Sequence, residues 1–138
     1  MILLDTNVLV YASDPRSGFH RWACQTITEA VNGDGAAVDA ITLAELCVGA
    51  AQPEAIPDQI REWGIVVLDV PAAASEVCAR AYRKHRTRRK SESGKDSSAI
   101  PLPDFFIGAH AQIMGWTLAT ADAERFKTHF PRVALVMP

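Results

Sequence analysis

Four carboxylates stand where an acid does more than solvate a surface. Asp5 closes the apolar run Ile2-Leu3-Leu4, and Glu45 is set between Ala44 and Leu46. Asp104 opens onto Phe105-Phe106-Ile107, and Asp122 lies just beyond the stretch 116–120. Glu92 and Asp96, by contrast, sit among Ser, Gly and Lys. Carboxylates packed together repel one another unless a cation lies between them or protons are taken up. Oxygen donors with no His or Cys at ligand spacing suit Mg²⁺ or Mn²⁺ rather than zinc. Taken singly, each acid has a plainer account as a helix-start residue. Asp5 caps a helix over 6–12, Glu45 completes a T-x-x-E capping box with Thr42, Asp104 complements a helix dipole, and Asp122 caps the turn after it. The inference therefore belongs to the set: acids in apolar surroundings, spread along the chain, holding one or two divalent ions.

No histidine is placed to assist them. His110 is six residues past Asp104, hence about 240° round a helix axis from it. His85 lies in a basic run, and His20 and His129 have no metal-ligand spacing. Cys24, Cys47 and Cys78 are odd in number and lie in apolar helical patterns, so they read as buried structural thiols in a reducing cytosol.

The elements that must position these acids follow from hydrophobic period and turn residues. Residues 2–4 predict a buried strand ending at Asp5, then a short helix through Ala12 closed by Ser13-Asp14-Pro15. Residues 19–31 carry helical spacing ended by Asn32-Gly33, 36–38 a weak strand, 42–50 a helix capped by Thr42, 53–63 another helix, and 65–70 a strand. Pro71 opens a long helix that runs into the basic segment, and the polar stretch 91–99 predicts a mobile loop. Pro103 begins the helix that bears Asp104, with Gly115 as its end; 116–120 and 133–137 are strands, with a short helical turn at 124–126. Strands alternating with helices imply an α/β fold with a mainly parallel sheet, whose site lies at the carboxyl ends of the strands.

With 138 residues, 49% of them hydrophobic, the chain reads as a single domain over 1–138 with one core. No run approaches the roughly 18 apolar residues of a membrane span. Nor does a basic segment precede the first apolar run, so a signal peptide is not expected and the location implied is cytoplasmic. The net charge of −2 conceals an asymmetry: 83–90 holds six of the fourteen Lys and Arg and no acid, leaving eight basic residues against sixteen acids elsewhere. Arg83, Lys84, Arg86, Arg88, Arg89 and Lys90 exceed what a helix end needs for its dipole, so they are the candidates for gripping phosphates, with Lys95 nearby. Arg16, Arg21 and Lys127 are weaker candidates. Trp22, Trp63, Trp116, Phe105 and Phe106 read as core or interface rather than stacking platforms.

These residues resemble a PIN-domain nuclease, and most of all the VapC toxins of bacterial toxin–antitoxin pairs. The matching pieces are Leu4-Asp5-Thr6-Asn7, Ala44-Glu45-Leu46 with Gly49, Pro103-Asp104 through Ala109, and Thr120 with Asp122, in the family's order and across essentially the whole chain. The resemblance implies a three-layer sandwich with a central sheet flanked by helices. It implies that Asp5, Glu45, Asp104 and Asp122 form a catalytic, metal-binding quartet supported by Asn7, Thr120 and Thr6. It further implies an endoribonuclease acting on transfer or ribosomal RNA, a homodimer, and a VapB-like antitoxin whose tail blocks the cleft. A carboxylate-held ion would screen the phosphodiester, lower the pKa of water and leave a 5′-phosphate and a 3′-hydroxyl. Two features depart from the pattern: the long basic stretch before Asp104, and Ala121 where relatives often carry a polar residue. Two other readings stay open. One is an Mg²⁺-dependent phosphoryl-transfer domain with Asp5 as nucleophile, although such folds want an acid two residues on, where this chain has Asn7. The other is a non-catalytic RNA- or partner-binding domain.

Overall fold

The computed structural model describes residues 1–91 and 100–138, Lys90 and Ser91 by backbone alone. β1 (Ile2–Leu4) leads into α1 (Thr6–Ser13) and α2 (His20–Asn32). β2 (Ala36–Asp39) leads into α3 (Ala40–Gly49), a 3₁₀ turn at Pro53–Ala55 and α4 (Ile56–Glu62). β3 (Ile65–Leu68) precedes α5 (Ala74–Ser91) and α6 (Leu102–Met114), and β4 (Thr117–Ala119) precedes α7 (Ala123–His129) and β5 (Leu135–Val136). The strands form one sheet in the order β3-β2-β1-β4-β5, parallel at every pairing. The sheet is thus parallel throughout, where the sequence implied mainly parallel.

Both faces of the sheet are covered, which is why its strands are mostly apolar rather than alternating. Successive side chains alternate in direction. Leu3, Ala37 and Leu118 pack with Cys78, Phe105, Ile107 and Phe126 from α5, α6 and α7. Leu4, Ala36, Val38, Ile65 and Ala119 pack on the other side with Val8, Ala23, Ile27 and Ile60 from α1, α2 and α4. This is the three-layer sandwich. The chain leaves β1 toward β2 on one side and returns to β4 on the other, so a topological switch point lies between β1 and β4. No described helix is long and apolar enough to cross a membrane.

Two packing details hold α6 in place. Gly115 ends it in the left-handed conformation (φ 65°), where a side chain would be strained. A Cβ at Gly108 would lie 2.3 Å from the Phe130 ring, so only glycine lets the segment after α7 seat against α6.

Several local expectations are corrected. α3 begins at Ala40, and its cap is Asp39, whose Oδ1 accepts from the backbone N–H groups of Ile41 (3.1 Å) and Thr42 (3.0 Å). Thr42 lies inside the helix, fully buried, with its hydroxyl turned to the Leu4 carbonyl at 3.5 Å. There is no capping box, and Glu45 falls in the second turn. The helix expected over 53–63 is split, because Pro57 has no N–H to continue a ladder and instead sits in the first turn of α4. The strands expected over 65–70 and 133–137 shorten to Ile65–Leu68 and Leu135–Val136. Ser91 belongs to α5, whereas Lys95 and the rest of the expected loop lie outside the described residues. Only Cys78 is buried; Cys24 and Cys47 are half-buried. Of the aromatics read as core or interface, Phe105 is fully enclosed, Trp22 and Trp116 are half-buried, and Trp63 is 44% exposed.

Candidate active site

Asp5 is the N-cap of α1, its Oδ1 accepting from Thr6 N at 2.8 Å. Its backbone N–H continues the sheet by donating to the Ala119 carbonyl at 2.9 Å, which sets the ends of β1 and β4 side by side. Its other oxygen, Oδ2, accepts from the Thr120 hydroxyl at 2.7 Å and from Asn7 Nδ2 at 2.6 Å. Asn7 also donates to Thr120 Oγ1 (3.2 Å) and accepts from Ala121 N (3.0 Å), while Thr120 Oγ1 accepts from Asp122 N (3.0 Å). Asn7 and Thr120 thus stitch the loop after β4 to the start of α1. The side chain of Ala121 takes no part in this network, since its backbone N–H makes the contact.

The other acids arrive from three helices. Glu45, in the second turn of α3, accepts a short hydrogen bond from the Thr6 hydroxyl. Asp104, in the first turn of α6, and Asp122, the N-cap residue of α7, are both bonded to Arg125. One guanidinium nitrogen lies 2.6 Å from Asp104 Oδ2 and another 2.8 Å from Asp122 Oδ2. Asp5, Glu45, Asp104, Asp122, Arg125 and the supporting Thr6 and Asn7 line one cavity of about 760 Å³, together with the exposed Val10 and Val48.

Burial pushes the Asp5 carboxyl up to about 6, against the bonds from Thr120 and Thr6, with the charges of Asp104 and Glu45 adding to the rise. Asp104 is raised as well: burial dominates, Arg125 opposes it, and Glu45 and Asp122 reinforce it. Four oxygen donors in mutual electrostatic reach match the preference of a hard divalent cation. Among the described residues, however, no three such side chains are arranged to hold a metal ion. Each of the four carboxylates is engaged by a donor of the protein itself.

The basic run is not part of this cavity. Arg83, Lys84, Arg86, Arg88 and Arg89 are exposed along α5, and the side chain of Lys90 lies outside the described residues. Arg83, Lys84 and Arg88 line a second cavity of about 550 Å³ with Thr128 and His129 from the end of α7. An adjoining one of about 340 Å³ adds Arg80 and Arg132. Arg16 and Lys127 are paired with Asp14 and Glu124, and neither they nor Arg21 line the acidic cavity.

His110 points away from the acids, as its spacing implied. Its Nδ1 is 3.1 Å from Asp39 Oδ2, with both side chains almost completely buried. His85 Nε2 accepts from the Ile100 backbone N–H at 3.3 Å, inside an aromatic cluster with Tyr82, Phe105 and His129. Sequence reasoning missed Arg125 and Asp39. A cation three residues after Asp122 was readable as an i,i+3 pair once α7 was extended, and Asp39 repeats the strand-end position of Asp5.

The family model for the PIN domain matches residues 2–134. Comparison with curated protein sequences finds no match. Among solved structures, the chain is similar to a toxin–antitoxin complex from Klebsiella pneumoniae (21% identity, TM-score 0.69), covering 100% of this chain and 98% of that one. It is similar to VapBC2 from Rickettsia felis bound to a DNA fragment from their promoter (22%, 0.66), with 99% and 98% covered. It is also similar to VapC20 of Mycobacterium tuberculosis, a sarcin-ricin loop cleaving toxin (15%, 0.63), with 97% and 99% covered. At these identities the likeness is one of fold.

Proposed function

The chain belongs to the PIN domain family, and we propose that it is a divalent-metal-dependent endoribonuclease, the cytoplasmic VapC-type toxin of a toxin–antitoxin pair, working as one domain over 1–138. The observation that carries this reading is the convergence of Asp5, Glu45, Asp104 and Asp122 on one open cavity at the switch point of the sheet. Asp5, Asp104 and Asp122, with Glu45, are the residues that would hold Mg²⁺ or Mn²⁺. When bound, such an ion neutralises phosphodiester charge, lowers the pKa of water and stabilises the leaving oxygen.

The chain's own residues do the rest. Asn7 and Thr120 fix both the rotamer and the hydrogen-bonded face of Asp5, and Thr6 orients Glu45. Attack of water on phosphorus, with rupture of the bond to the 3′ oxygen, yields a 5′-phosphate and a 3′-hydroxyl. Structured RNA, transfer or ribosomal, is the substrate class proposed; Arg83, Lys84, Arg86, Arg88, Arg89 and Lys90 hold its backbone. α7 connects the two cavities: it begins beside Asp122 and ends at His129, and seven residues of helix span about 10 Å. The adjoining cavity adds Arg132, absent from the sequence reading, to that grip.

The partners proposed are an antitoxin and a second copy of the chain. An apolar groove of about 450 Å³ lined by Leu9, Leu46, Ile60 and Trp63 shares Val10 and Glu45 with the acidic cavity. A segment of antitoxin lying in the groove would continue directly over the acids. The reading of Asp5 as a nucleophile is disfavoured because both of its oxygens are engaged and residue 7 is Asn.

The test is RNA cleavage with Mg²⁺ or Mn²⁺ against an EDTA control, comparing wild type with Asp5→Ala and Asp104→Ala. Cleavage that requires metal and is lost in both variants supports the reading. Cleavage in EDTA, or full activity in both variants, refutes it.

A further inference from the structure

We propose that Arg125 is an internal counter-cation of the acidic cavity: it clamps Asp104 and Asp122 until a divalent ion takes them, and then turns to the substrate phosphate. The inference rests on the metal-nuclease reading above. Arg125 is the one cation that lines the cavity among the described residues. Its two terminal nitrogens are divided between carboxylates from different helices, at 2.6 and 2.8 Å. The planar fork of the guanidinium gives each acid its own nitrogen, whereas an ammonium would have to reach both from one.

The placement follows from α7 itself. Phe126, fully buried, fixes the helix against the core, and Arg125 stands one turn after Asp122, within reach of it. Glu124 and Lys127 pair with each other in solvent and leave Arg125 without a competing acid on its own helix. Guanidinium is always charged, so it repels a second cation approaching the same carboxylates. It also draws Asp104 and Asp122 toward itself, consistent with the lack of a three-donor arrangement among the described residues.

A divalent ion and Arg125 are therefore rivals for the same two side chains. Already 30% exposed while paired, the Arg125 side chain has donors spaced for the oxygens of a phosphate once it is displaced. Metal loading frees the group that grips RNA, and bound RNA gives that group a partner which keeps it from reclaiming the acids. The device couples the two ligands through one side chain.

The experiment is calorimetric titration of the full chain with Mn²⁺ alone, for wild type, Arg125→Gln and Arg125→Lys, with Glu124→Gln as a control outside the cavity. Charge-assisted bonds of this kind set the scale: Arg125→Gln should bind Mn²⁺ roughly tenfold tighter. Arg125→Lys, which keeps the charge but loses the fork, should also bind more tightly than wild type, and Glu124→Gln should not change. At saturating Mn²⁺, Arg125→Gln should raise KM for RNA more than it lowers kcat. Unchanged or weaker Mn²⁺ binding by Arg125→Gln overturns the clamp. So does tightening in Arg125→Gln with wild-type affinity in Arg125→Lys, which would make the effect one of net charge. An unchanged KM overturns the phosphate role. If Arg125→Gln does not fold, the Arg125→Lys titration decides alone. Failure of wild type and all variants to bind Mn²⁺ would instead overturn the metal reading, and the inference with it.

Discussion

Replacing Asp5 with Asn should stabilise the metal-free protein while abolishing its activity. The side chain is 5% exposed, and its pKa lies near 6 against an ordinary 3.8. A rise of about two units corresponds to about 3 kcal/mol. The folded protein holds this proton more tightly than the unfolded chain does. The associated stability is therefore complete below pH 3.8 and is lost as the pH rises through about 6. At pH 7.5 the wild type carries the whole penalty of an ionised, enclosed carboxylate. Asn has no such charge. Its oxygen keeps the bond from Thr6 N and its amide donates to the Thr120 hydroxyl, which rotates to accept, but the amide also faces Asn7 Nδ2, which loses an acceptor now 2.6 Å away; that loss costs about 1–2 kcal/mol. The balance favours Asp5→Asn by about 1–2 kcal/mol, or roughly 3–10 °C in melting temperature for a chain of this size. Thermal melts in EDTA from pH 4 to 8 measure it: the variant should be no more stable near pH 4 and should draw ahead between about pH 4 and 6.5. Parallel curves, or a wild type at least as stable at pH 7.5, would refute the account of Asp5. RNA cleavage by the variant should fall by at least about 100-fold, the order expected when electrostatic stabilisation at a reaction centre is removed.

Other consequences are open to measurement. His85 is held below its ordinary pKa by burial and then by Arg89, and His129 by burial, His85 and Arg88. Both favour the neutral form, so their contribution is present above about pH 6.5 and declines as the pH falls. In the Asp5→Asn background, melting temperature should drop from pH 6.5 to 5, and a flat profile would contradict the burial of His85. Gly108→Ala puts a methyl group 2.3 Å from the Phe130 ring, and overpacking of that kind should destabilise by about 1–3 kcal/mol, read as a lower urea midpoint. Replacing Arg83, Lys84 and Arg132 together with Ala should weaken RNA binding and reduce the slope of log affinity on log salt by about 2; an unchanged slope would remove both basic cavities from the RNA path.

The order of elements was legible because both faces of the sheet are buried, which keeps the strands mostly apolar, and because helix ends carry Gly or Pro signals. Boundaries were not, since they depend on which of two adjacent polar groups reaches the helix first. The four acids and the supporting Asn7 and Thr120 were also legible, through their place at strand and helix ends; the structure brings the acids to one cavity. Arg125 was missed because 124–126 reads only as a short helical turn, and nothing local shows that Asp104 of α6 lies opposite it. The basic run was visible as charge, yet its partner surface was not. Thr128, His129 and Arg132 reach α5 only through the packing of α7 and the segment after it.

Asp39 shows where pattern alone gives out. Like Asp5, it ends a buried strand, caps the following helix through its Oδ1 and is enclosed. Local sequence does not separate the two. What separates them is the partner each meets across the sheet. The remaining oxygen of Asp39 meets His110 of α6, whereas that of Asp5 meets the neutral donors Asn7 and Thr120 beside an open cavity. β1 lies next to β4 at the switch point and β2 does not. The Asp39–His110 bond ties the helix bearing Glu45 to the helix bearing Asp104, so its effect on the acids is one of position. Asp39→Asn keeps an oxygen to cap α3 but presents an amide to His110. If the bond positions the acids, this substitution should weaken Mn²⁺ binding as well as lower the melting temperature. A lower melting temperature with unchanged Mn²⁺ affinity would make the pair a matter of stability alone.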